Sequence, residues 1–125
     1  MKRMVAWRAM TRLPAAILFV GAMLALPASA AGEWRPIDAR LEPGKMHESC
    51  MSIGAGDKRR YHWKSDAPVD FNIHFHKGDD ILYPVKVSGM RGDGGTFTAK
   101  DGGGYCWMWT ARDKAAKIEG RVEIK

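Results

Sequence analysis

The chain has 125 residues, with 20 basic and 14 acidic side chains and a formal net charge of +6. Four of the basic residues, and none of the acidic ones, lie in a 30-residue N-terminal export segment, so its removal leaves 95 residues at +2. That is one small domain, and it lacks the concentrated basic footprint that a nucleic-acid binder needs.

The export segment has three zones. Lys2, Arg3, Arg8 and Arg12 make a positive start, and no acidic residue occurs before Glu33. A mainly apolar run from Leu13 to Leu26 follows, about 14 residues, which is shorter than the ~20 needed to span a bilayer. Pro27-Ala28-Ser29-Ala30 then supplies an A-x-A cleavage site. Residues 1–30 therefore read as a cleaved signal peptide, and the product as an exported protein, periplasmic or secreted, with no transmembrane segment left. No cysteine flanks the cut, and the only Arg-Arg pair is Arg59-Arg60. A lipoprotein anchor and a twin-arginine signal are thus not indicated.

Residues 31–44 read as an irregular lead-in, broken by Pro36, Pro43 and Gly44. The domain proper, residues 45–125, shows no sustained 3.6-residue apolar period and reads as short strands between glycine-rich turns. Lys45 to Ile53 and Arg59 to Lys64 are the first two. Pro68 to Lys77 is the clearest: Val69, Phe71, Ile73 and Phe75 alternate with Asp70, Asn72, His74 and His76, the two-residue period of a half-buried strand. Lys77-Gly78-Asp79-Asp80 is a turn. Ile81 to Val87 follows, where Pro84 implies an edge position or a bulge. Arg91 to Gly95 is a second turn, Thr96 to Ala99 a short strand, and Asp101 to Gly104 a third turn. Tyr105 to Thr110 is apolar on both faces, as expected of a central strand. Ala115 to Ile124 closes the chain. About seven strands at short spacing make an all-β fold, an antiparallel β-sandwich.

Two cysteines remain after cleavage, Cys50 and Cys106. In an oxidising compartment such a pair reads as one disulfide; the alternative is a metal-binding or free thiol pair. His74-Phe75-His76 places two imidazoles on one strand face, roughly 7 Å apart. With His62 and Asp70 they form a candidate Zn or Cu site, against the alternative of a solvated polar strand face. Met46, His47, Cys50 and Met51 make a softer candidate set. Trp63, Tyr105, Trp107 and Trp109 form a candidate aromatic contact surface; Tyr105, Trp107 and Trp109 share one strand face, opposite Cys106 and Met108. No Gly-x-Ser-x-Gly elbow, phosphate loop or His-Glu-x-x-His helix occurs, so no catalytic residue is assigned.

The order of these features resembles a known family. Glu48-Ser49-Cys50 in an early strand is followed by Val69 to His76, by Thr96-Phe97-Thr98-Ala99, by Gly104-Tyr105 and by Cys106-Trp107. This resembles the GOLD domain, the luminal β-sandwich of the p24/emp24 cargo proteins, over roughly residues 46–124. The resemblance implies a sandwich fold, a bridge between the two cysteines, and a role in protein or lipid interaction. The coiled coil and membrane anchor that follow the domain in p24 proteins are not in this sequence, so cargo-receptor function is not implied. The sequence thus predicts a non-catalytic exported binding module with no cofactor. A Zn- or Cu-binding protein is the second reading.

Overall fold

The computed structural model describes residues 31–125; the signal peptide predicted over residues 1–30 lies outside them. The described residues form six strands and no helix: β1 (Trp34–Leu41), β2 (Met46–Ile53), β3 (Lys58–Lys77), β4 (Asp80–Thr98), β5 (Gly103–Ala111) and β6 (Ala116–Glu123). All pairings are antiparallel, in the order β1-β6-β3-β5-β2, with β4 on the other edge of β3.

The strand count differs from expectation because two pairs of predicted strands are continuous. Arg59–Lys64 and Pro68–Lys77 are halves of the 20-residue β3, and the Ile81 and Thr96 segments are halves of the 19-residue β4. The irregular lead-in over 31–44 is also corrected. It contains β1, which pairs along its whole length with β6. Pro36 is tolerated because β1 is an edge strand, where a missing ladder donor costs little.

The long β3–β4 hairpin shapes the molecule. Between Lys64 and Val69 the register slips, so that four residues of β3 oppose one of β4. There β3 bends, and its far edge changes partner: Tyr61 to Ser65 pair with β6, whereas Val69 to Phe75 pair with β5. One sheet therefore curls into two facing layers, β1-β6-β3-β4 and β2-β5-β3-β4, as an antiparallel sandwich requires. Arg35 ties β1 to β2, donating from Nη1 to Ser49 Oγ (3.1 Å) and to the Cys50 carbonyl (2.8 Å).

The core is aromatic. Trp107 and Trp109 are fully buried, and Tyr105, Phe71 and Trp63 are within a few per cent of it. Phe71 lies 5.2 Å from Trp63 and 5.4 Å from Trp109, ring centre to ring centre, at tilted angles that aromatic quadrupoles favour. Gly120 makes this packing fit. A Cβ there would fall on the His62 carbonyl and within 2.8 Å of Trp63 Cα and Cβ.

Candidate functional site

The second layer, β2-β5-β3-β4, carries two adjoining features: an apolar tip on the β3–β4 hairpin and a polar row on its outer face. The tip begins at Lys77-Gly78-Asp79-Asp80, a two-residue hairpin loop in which Gly78 alone has a positive φ (62°). That is the II′ arrangement, whose twist suits antiparallel strands. Ile81, Leu82 and Tyr83 follow, exposed at 46%, 42% and 45%. Exposed apolar side chains of this size are elsewhere single in the described residues, at Met46 and Met90.

Pro84 sits in the bulge that the sequence anticipated, and on an edge strand. Ile73 pairs with Val85 and Phe75 with Leu82, so Tyr83 and Pro84 together oppose His74. The bulge re-aims Tyr83 over the sheet face, its ring 5.7 Å from His74 and 5.0 Å from the Lys86 ammonium. On the inner side, Leu82 and Pro84 form one lip of a groove of about 400 Å³. Phe75, Phe97 and Tyr105 form its floor, and Lys100 and Asp101 its polar rim.

The polar row crosses three strands. Cys50 of β2 stands opposite Cys106 of β5, which stands opposite His74 of β3. Cys50 and Cys106 form the expected disulfide, with Cα atoms 4.1 Å apart. His74 is 5% exposed, beneath Tyr83. Its Nδ1 lies 2.7 Å from Asn72 Oδ1, and its Nε2 is 3.7 Å from Glu48 Oε1. Burial pushes the imidazole pKa below the usual histidine range; Glu48 opposes that shift and His76 adds to it.

The predicted metal set does not assemble. His62 is on the other layer, 6.5 Å from the Trp34 ring. Asp70 accepts a hydrogen bond from the Gly89 amide and faces Arg112 at 3.5 Å. His74 and His76 are neighbours, with ring centres 5.5 Å apart. No compact cluster containing His62, His74, His76 or Asp70 occurs among the described residues; the cluster found there is Glu48, Cys50 and Cys106, whose sulfurs are bonded to each other. The Met46–Met51 set is split by strand alternation: Met46 is exposed, whereas His47 turns inward against Trp109 at 6.0 Å.

The predicted aromatic contact surface is also corrected. Trp63 is 4% exposed, Tyr105 1%, and Trp107 and Trp109 0%. They are core because β5 pairs with β3 in a register that sets Phe71 opposite Trp109 and Ile73 opposite Trp107. The indole N–H groups of Trp63, Trp107 and Trp109 have no hydrogen-bond partner among the described residues. Two residues at the site were not singled out from sequence: Glu48, two positions before Cys50, and Tyr83, inside an apolar run after a turn.

On the opposite layer, Trp34 is flanked by two guanidiniums, Arg121 at 4.4 Å and Arg60 at 5.1 Å from its ring centre. Arg60 also forks onto Glu123: Nη2 donates to Oε1 at 2.8 Å, and Nε and the backbone amide donate to Oε2. These bonds hold the Glu123 carboxyl down at about 2. This cluster is internally satisfied and anchors β3 to the end of β6.

No protein-family profile matches the chain, and no curated protein matches it. Among solved structures it is similar to PliG of Aeromonas hydrophila, a periplasmic inhibitor of g-type lysozyme, with a TM-score of 0.51 at 11% identity, over 80% of this chain and 93% of that one. It also matches a Yersinia pseudotuberculosis-derived mitogen at a TM-score of 0.48 and 8% identity, over 76% of this chain and 88% of that one. At such identities the likeness is one of fold.

Proposed function

We propose that this protein is an exported, non-catalytic module that binds a protein partner through the tip of the β3–β4 hairpin. The observation that carries the reading is the run Ile81-Leu82-Tyr83: three large, contiguous, solvent-facing apolar side chains beside a groove with an aromatic floor. Monomeric proteins seldom leave such a patch bare unless something docks on it. The aromatic and aliphatic mixture, rimmed by Lys77, Asp79, Asp80 and Lys100, is the composition of an interface centre with a polar margin.

The tip is suited to side-chain docking rather than strand addition. Pro84 and its bulge interrupt the β4 edge, and Lys86 charges it, both devices that discourage edge pairing. The disulfide supports work in an oxidising compartment. The fold shared with an inhibitor of g-type lysozyme supports a muralytic enzyme of that class as the partner. The GOLD-type order of motifs supports protein interaction as well.

The test is titration of a g-type lysozyme with the purified protein, read as inhibition of cell-wall lysis and as direct binding by calorimetry. Stoichiometric inhibition is expected. Tyr83→Asp combined with Ile81→Asp should weaken binding at least tenfold while leaving the circular dichroism unchanged, since both side chains are solvent-facing. Absence of binding at high micromolar concentration, or binding indifferent to both substitutions, would overturn the proposal.

A further inference from the structure

The β3–β4 ladder breaks twice in succession, and both breaks border one concave space. The first is the bend of β3. Between the pairs Lys64–Gly92 and Val69–Met90, the segment Ser65 to Pro68 has a single residue of β4 across from it, Arg91. In the second, between Val69–Met90 and Phe71–Val87, Asp70 stands across from both Ser88 and Gly89. Gly89 has a positive φ of 68°, a conformation that glycine adopts without steric cost. Bulges re-aim side chains and are frequent beside functional sites. Here they leave a cavity of about 400 Å³, lined by Pro68, Gly89 and Arg91 and by Arg112, Asp113 and Lys114 of the β5–β6 turn. Its volume is within the ~300–1,000 Å³ of small-molecule pockets, and it shares no lining residue with the groove at the hairpin tip.

Three cations line this cavity, and two of them are held in place. Arg91 Nη1 donates to the Asp66 carbonyl at 3.1 Å. A neutral carbonyl fixes the guanidinium without cancelling its charge, and four of the five N–H donors remain for a ligand or water. Arg112 Nη1 lies 3.5 Å from Asp70 Oδ1, the oxygen that also accepts the Gly89 amide at 3.0 Å. It lies across Gly89, where a Cβ would come within 2.9 Å of the same Nη1. Lys114 has no ion-pair partner among the described residues. The Asp66 carboxylate faces elsewhere: its Oδ1 accepts the Lys117 amide at 2.8 Å, and Asp66 lines a separate hollow with Lys64 and Lys117. Three positive charges, from Arg91, Arg112 and Lys114, stand against two negative ones, from Asp70 and Asp113, so the site is net positive.

We infer that this cavity is a binding site for the phosphate group of a small, hydroxyl-bearing phosphate ester, held by Arg91, Arg112 and Lys114. Guanidinium forks match the oxygens of an oxyanion in pairs, and an ammonium adds a point charge. The two forks come from different elements, β4 and the β5–β6 turn. A carboxylate has two oxygens in one plane and serves one fork; a phosphate has oxygens on several sides and serves both. Asp113 selects against a bare anion, because its carboxylate repels one. It accepts a hydrogen bond from a hydroxyl carried beside the phosphate, and the cavity is larger than a phosphate group alone requires. This inference is independent of the protein-binding reading.

The experiment titrates the purified protein at low salt with glycerol 3-phosphate, inorganic phosphate, glycerol and acetate, read by calorimetry and by backbone amide chemical shifts. Vesicles of phosphatidylglycerol present the same phosphate and hydroxyls from a lipid. Saturable binding of glycerol 3-phosphate is expected, with inorganic phosphate weaker and glycerol and acetate silent. The shift changes should centre on Gly89, Arg91 and Arg112 to Lys114. Arg91→Gln and Arg112→Gln should each weaken binding roughly tenfold at low salt, the worth of a charge-assisted hydrogen bond. Lys114→Gln breaks no ion pair among the described residues, so its loss of a few-fold in affinity is a test that does not depend on the fold of the arginine variants; thermal melts check all three. Asp113→Asn should strengthen inorganic phosphate and narrow the ester's advantage over it. Four outcomes overturn the inference: no saturable binding of the ester, binding indifferent to the three substitutions, acetate binding as well as phosphate, or binding to vesicles without binding of the free ester.

Discussion

Replacing both cysteines, Cys50→Ala with Cys106→Ala, should cost about 4 kcal/mol of stability, chiefly through the unfolded state. The bridge spans 56 residues. On the chain-entropy argument a loop of that length removes about 14 cal/mol/K from the unfolded ensemble, which is about 4 kcal/mol at 25 °C. The native side loses little, because both side chains lie on the outer face of the second layer and Cys50 is solvent-exposed. Equilibrium urea unfolding of three samples checks the figure: oxidised wild type, reduced wild type and the double variant. The two unbridged samples should agree with each other and fall about 4 kcal/mol below the oxidised protein, with steeper denaturant dependence because the freed chain exposes more surface. Reduced protein within about 1 kcal/mol of the oxidised form would refute the loop-closure account. A double variant much less stable than the reduced wild type would instead place the stabilisation in side-chain packing.

Three further outcomes follow from the core and the opposite layer. Gly120→Ala should destabilise by at least the ~1–3 kcal/mol typical of overpacking, since its Cβ meets backbone atoms of His62 and Trp63 rather than a yielding side-chain end; thermal melts check this. Trp107→Ala should cost about 3–5 kcal/mol as a buried large-to-small change, whereas Trp107→Phe should cost much less, because the indole N–H that it removes has no partner among the described residues. A Phe variant as damaging as the Ala variant would contradict the unpaired N–H. Glu123 supplies the acid limb: its folded pKa of about 2 lies below the ~4.3 of a free glutamate. Its contribution is fully present above the unfolded pKa and is lost as pH falls toward the folded one. Glu123→Gln should therefore flatten the stability profile between about pH 4.5 and pH 2, as read by denaturant titrations across that range.

The all-β architecture was legible because strand alternation is a local property. Val69, Phe71, Ile73 and Phe75 are buried on one side, as their spacing required. The strand count was less legible for a physical reason. Ser65-Asp66-Ala67-Pro68 and Arg91-Gly92-Asp93-Gly94-Gly95 have the composition of chain breaks, yet in the fold they are the bend of β3 and a glycine-rich stretch of β4. Glycine serves there for a reason that spacing does not reveal: a Cβ at Gly94 would lie 3.0 Å from the Tyr61 carbonyl oxygen. Strand β1 was missed because its proline and sparse apolar residues suit an edge strand as well as they suit a loop.

The candidate site was legible only in its parts, and the reason is register. Alternation says that Tyr105, Trp107 and Trp109 share a face, but not whether that face is in or out. The answer comes from pairing β5 with β3, which sets those aromatics against Phe75, Ile73 and Phe71 and forces Cys106 onto the outer face with His74. One long-range pairing therefore both consigns the aromatic set to the core and gathers the polar row. The same dependence separates Glu48 from the His-x-His motif that drew attention in the sequence. His76 is close in sequence and shares the strand face, but Glu48, 26 positions before His74, is the carboxylate that lies 3.7 Å from its Nε2. Side chains gathered from β2, β5 and β3 have no short spacing to recognise. They meet only where the disulfide-linked strands and the long hairpin are paired in this register.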